Sequence, residues 1–125
     1  DLEHDTMIEL VRSFVIPSIE KQLVLSEQTH HAVKSAGLKK AHGLRQGALE
    51  RVFENVLVRL EALESAVADA RKESSETRRM KLIVGSLQSL AAELRESCDE
   101  AESLVSNEIW PLPKYREILL ANSLT

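Results

Sequence analysis

The chain has 125 residues, 43% of them apolar, 29% charged and only 3% aromatic, with a net charge of -4. That length suits one domain with a real core, which Leu, Val, Ile and Ala must fill. The acidic balance supplies no basic field for nucleic acid, and no apolar run approaches the ~20 residues that span a bilayer.

Thr6-Met7-Ile8-Glu9 has the pattern of a capping box and opens a first helix over residues 6–36. Met7, Leu10, Val11, Phe14 and Val15 give it an apolar stripe, continued by Ile19 and Leu23. Pro17 falls inside this stripe. It removes one backbone bond and presses on the Ser13 carbonyl, so a kink is expected there rather than a stop.

Gly37, Gly43 and Gly47 mark residues 37–47 as an irregular loop, or a short helix broken at both ends. No acidic residue lies between Glu27 and Glu50, while Lys34, Lys39, Lys40 and Arg45 are present. Charge patterning favours a solvated basic loop over a phosphate site.

A second helix follows over residues 48–72. Leu49, Phe53, Val56, Leu60, Leu63, Val67 and Ala70 alternate steps of four and three, a heptad seam. After the polar break at 72–75, Ser74 or Ser75 can cap a third helix over 76–108. Its apolar positions are Met80, Ile83, Leu87, Leu90, Leu94, Cys98, Ala101 and Val105. Pro111 prevents further extension, and residues 109–125 form a Pro-rich tail with a short final helix. The expected fold is all-α: a single domain built as an antiparallel up-down-up three-helix bundle, with a kinked first helix and a tail that folds back. In that order the acidic end of helix three, from Glu93 to Glu108, neutralises the basic 34–45 segment. Trp110 and Tyr115 then close one end of the bundle.

Candidate chemistry is sparse. Glu27-Gln28-Thr29-His30 has the Glu-x-x-His spacing of a di-iron bundle, but such sites need two copies and two further glutamates. One copy reads as a surface Glu and His. His4 and His42 lack ligand partners at recognisable spacing and read as solvated. Cys98 falls on the apolar face of helix three and reads as a small core residue. As the only cysteine it excludes an internal disulfide and suits a reducing compartment, hence a cytoplasmic location. No catalytic, cofactor-binding or metal-ligating residue is assigned.

His31-Ala32-Val33-Lys34-Ser35-Ala36-Gly37 resembles the phosphorylation motif of histidine phosphotransfer domains, with Ser35 where that family has a glycine. That resemblance implies a module that accepts phosphate on His31. A free-standing adaptor bundle that binds partner helices is a further alternative.

A second resemblance covers the whole chain in outline. Asp5-Thr6-Met7-Ile8-Glu9-Leu10-Val11 running into Val15-Ile16-Pro17-Ser18-Ile19, and Ile109-Trp110-Pro111-Leu112-Pro113-Lys114-Tyr115 with Ile118-Leu119-Leu120, look like the two ends of one region. That region is the C-terminal helical part of type III glutamine synthetases. The resemblance implies a non-catalytic domain with a structural or assembly role. The parent would join glutamate and ammonia using ATP and Mg, and the partners would be its catalytic domain and neighbouring subunits of a homo-oligomer. The family's catalytic motifs are not in this chain. It does not begin with Met, which points to a domain of a longer polypeptide.

Overall fold

The computed structural model describes residues 2–37 and 39–110, with the side chains of residue 2 and of 39–42 left aside. Three helices and no strands make up the described residues: α1 (residues 2–35), α2 (Lys39–Lys72) and α3 (residues 76–104).

Helix α1 starts at Leu2, so Thr6 and Glu9 sit inside it and no capping box forms at Thr6. Its middle, Val11–Val15, is a π-helical turn in which the Ile16 amide donates to the Val11 carbonyl. Ile16–Ser35 then continues α-helically straight through Pro17. The wide turn lies where the proline ring would otherwise press on the Ser13 carbonyl, and such insertions accommodate interrupted bonding. Ser18 Oγ also donates to the Phe14 carbonyl at 2.6 Å. The buried apolar face is narrower than the expected stripe. Ile8, Val11, Val15 and Ile19 are buried, whereas Leu10 and Phe14, expected in the stripe, are exposed.

The 37–47 loop expected from the glycines is replaced by a tight turn. Gly37, at φ +81°, ends α1 in the left-handed conformation that glycine adopts freely. Helix α2 is already formed at Lys39 and carries Gly43 and Gly47 within it. Each glycine costs its helix about 1 kcal/mol. Tertiary packing offsets this, because Gln46 and Leu49 are buried. A Cβ on Gly43 would lie 3.8 Å from His30 Cε1 of α1, so glycine is where the two helices meet.

Helix α2 supplies the centre of the core. Val52, Val56, Leu60, Leu63, Val67 and Ala70 join Ile8, Val11, Val15 and Ile19 of α1 and Leu87, Leu94 and Ala101 of α3 in one cluster. Val52 is buried where Phe53 was expected, and Phe53 packs at the margin. A helix with neighbours on two sides needs a broader stripe than one heptad seam.

Of the two serines expected to cap α3, Ser75 does so, its side chain accepting from the Arg78 amide. A second π-helical turn, Ile83–Leu87, interrupts α3. Met80, expected in the core, is exposed just before this turn. Helix α3 stops at Leu104, four residues earlier than its apolar pattern indicates.

Cross-links set the register. Asp5 pairs with Arg71 and Arg12 with Glu64, while Gln46 donates to Glu27, so partners on α2 descend as α1 advances. Arg59 reaches the Glu93 carbonyl and the buried Ser97 hydroxyl, and Arg45 reaches the Leu104 carbonyl. Exposed ion pairs such as Arg12–Glu64 contribute ~0–1 kcal/mol each and select alignment more than stability.

Replacing Gly43 by Ala tests the early start of α2. The new methyl makes an ordinary contact with His30 and the helix gains propensity. Urea unfolding should show a gain of about 0.5–1 kcal/mol. No gain, or a loss, would place Gly43 outside the helix.

Candidate functional site

The end of α3 and the residues after it form a closely bonded polar arrangement among the described residues. Val105 leaves the helix in an extended conformation, turning the next amide away from the helix axis. That amide, of Ser106, donates to Gln22 Oε1 on α1 at 3.0 Å. The Ser106 carbonyl accepts from the amides of both Ile109 and Trp110 at 3.0 Å, closing a turn. Ser106 Oγ accepts from the Glu108 amide at 3.3 Å. The Ile109 carbonyl accepts from Ser18 Oγ at 3.4 Å, and Trp110 is then buried at 7% exposure. Arg45 of α2 donates to the Leu104 carbonyl at 2.7 Å, placing a cation at the negative end of α3.

All three helices therefore hold one clasp, and α1 contributes through residues next to Pro17. Ser18, Gln22 and Ser26 recur every four residues and are all buried beside Ile19. Sequence reasoning passed over these polar residues, although their spacing continues the buried face of Val15 and Ile19. The nine-tenths-buried Trp110 has no hydrogen-bond partner for Nε1 among the described residues. Trp110 is buried as expected; Tyr115 and the remaining tail, including its short helix, lie outside the described residues.

The expected neutralisation of the basic 34–45 segment by the acidic end of α3 takes a different form. Arg45 does reach that end, but it meets a backbone carbonyl rather than a carboxylate. Lys34 is exposed. Carbonyls of a helix's last turn lack intrahelical donors and so compete well for an arginine.

The other candidates are dispersed. Glu27 is exposed and His30 half-buried; the Gln46 amide donates to Glu27 at 3.2 Å and to Glu50 at 3.4 Å. No group of three or more His, Cys, Asp or Glu side chains could hold a metal ion among the described residues. His4, expected to be solvated, is buried where α1 passes Gln88, Ala91 and Arg95 of α3. His42 has no described side chain. His31 is exposed near the end of α1 with Lys34 one turn on, and Ser35 Oγ donates to its carbonyl at 3.1 Å. Cys98 is half-buried against the core, and burial, helped by the Asp99 carboxylate, raises its thiol to about 11. A thiol held neutral in this way is a poor nucleophile. No helix among the described residues is long and apolar enough to cross a membrane.

The arrangement can hold helices together and present their outer faces. Comparison with known families, curated proteins and solved structures finds no match for this chain.

A Trp110→Ala change should destabilise the chain by ~3 kcal/mol or more, as other buried aromatic truncations do. Equilibrium urea unfolding followed by circular dichroism measures this, and a change within ~0.5 kcal/mol would mean that the clasp bears no load. Cys98 gives a pH signature. Its folded pKa lies above the ordinary 9.0, so its contribution is complete below pH 9 and declines as pH rises toward 11. Wild type should therefore lose more stability than Cys98→Ala between pH 8 and 10.5. Equal losses in the two proteins would exclude this coupling.

Proposed function

We propose that this chain is a non-catalytic helical domain with a structural and assembly role, the C-terminal helical domain of an enzyme of the type III glutamine synthetase kind. The parent would ligate glutamate and ammonia with ATP and Mg, using residues outside these 125. Its catalytic domain and neighbouring subunits of a homo-oligomer would be the partners, in the cytoplasm.

One observation carries this reading. The two segments that resemble that family, at opposite ends of the chain, are brought together. Ser18, in the first segment, donates to the carbonyl of Ile109, in the second, and Trp110 is buried there. A shared pair of motifs has a physical reason to occur together when each completes the other's packing. The reading includes an antiparallel up-down-up order, supported by the descending register of the cross-links, and a kink at Pro17, supported by the wide turn before it.

Antibody capture of the native polypeptide from its source tests the parentage. The captured polypeptide should be several times longer than this chain and should form glutamine from glutamate, ammonia and ATP. A captured polypeptide of about this length without that activity would overturn the reading.

A further inference from the structure

We propose that residues 111–125 of this chain occupy the groove between the first turns of α1 and the middle of α3, as an intramolecular strap. The inference rests on the course of the described chain and on that groove, and not on the parentage proposed above.

Two hydrogen bonds set the direction. The Ser106 amide meets Gln22, and the Ile109 carbonyl then meets Ser18, one turn nearer the start of α1. Having left α3, the chain therefore runs back along α1 toward its N-terminus. The next turns in that direction present Phe14 and Leu10, which are 43% and 37% exposed. Beyond them opens a mostly apolar groove lined by Thr6, Met7 and Leu10 of α1 and by Gln88, Ala91 and Ala92 of α3. The side of α1 that turns to α2 carries Asp5 and Arg12 instead.

Trp110 marks where the strap begins. It is buried, yet its Nε1 has no hydrogen-bond partner among the described residues. Buried donors are satisfied in nearly all folded proteins, so an acceptor belongs beside it. The residues that follow Trp110 in sequence are the nearest source of one.

Reach and tether select the occupant. Ser18 to Leu10 is about 12 Å along α1 at 1.5 Å per residue. Residues 111–114 can cover that distance at ~3.3 Å each, which brings Tyr115 to Leu10. Pro111 and Pro113 favour extended backbone at the residues before them. Tyr115, Ile118 and Leu119 have the i, i+3, i+4 spacing of anchors that seat a helix in a groove. Charge does not discriminate, since the groove carries Glu3 and Arg95 and the segment carries Lys114, Arg116 and Glu117. A segment tethered beside the groove is present at about millimolar effective concentration, so it outcompetes a second copy at micromolar concentration. Tyr115 is thereby placed along the groove beside Leu10 rather than at the end of the bundle.

Thiol cross-linking of the full chain tests the seat, in a Cys98→Ala background. Thr6→Cys with Ile118→Cys should join through a short bismaleimide within one chain. The rate should be at least about tenfold that of Val58→Cys with Ile118→Cys, because only the first pair is held together. Val58 is exposed on the outer face of α2. Peroxide oxidation gives a second reading, since Met7 lines the groove and Met80 lies away from it. Ile118→Glu with Leu119→Glu should speed Met7 sulfoxide formation at least about threefold and leave Met80 unchanged. Equal cross-linking rates for the two pairs would overturn the proposal. So would a cross-link that forms only between two chains, or Met7 oxidation no faster than in wild type.

Discussion

The fold depends on burial along both sides of α2. Its residues Val52, Val56, Leu60, Leu63, Val67 and Ala70 face α1 on one side and α3 on the other, and each of the outer helices buries its own stripe against them. With two phenylalanines, one tryptophan and one tyrosine in the chain, little else can supply apolar area. Burial at roughly 25 cal/mol per Å² makes such an aliphatic seam the dominant favourable contribution. The ion pairs along its edges are exposed and add alignment rather than strength.

The polar clasp at the end of α3 follows from that packing. Once α3 lies on α2, its C-terminal carbonyls are brought to Arg45, and the chain beyond Leu104 falls beside Ser18 and Gln22 of α1. Backbone groups released by the end of a helix must find partners when buried, and here side chains from both other helices provide them. The two π-helical turns sit at points where sequence and packing disagree. One precedes Pro17, and the other spans the exposed Gly85. Phe14, within the first turn, and Met80, just before the second, are exposed despite apolar side chains. A proposed role in assembly fits a molecule whose clasp groups serve its own cohesion and whose α3 keeps Met80 and Val84 exposed.

Much of this was legible from residue order. Apolar spacing located three helices and the passage of helix through Pro17; the polar break at 72–75 narrowed the α3 cap to Ser74 or Ser75, and the burial of Trp110 followed from its large apolar side chain. Less legible were the boundaries. Thr6 and Glu9 have the composition of a cap, yet helix extends to Leu2, because an isolated four-residue pattern is weaker than continued packing. Glycines at 43 and 47 read as loop residues, since their propensity cost is local while the approach of His30 to Gly43 comes from 13 residues away. The polar members of the clasp were missed for the same reason. Ser18 and Gln22 declare no partner in sequence until α3 ends beside them.

By itself the sequence determined the class of structure, because helical periodicity, capping and the scarcity of aromatics are local properties repeated along the chain. It also placed the resemblance of the two ends. Only the tertiary structure decided which face each helix buries, where α2 begins, and that Ser18 meets Ile109. These outcomes depend on contacts between residues as many as 91 positions apart, where a gain in burial can outweigh a propensity cost of about 1 kcal/mol.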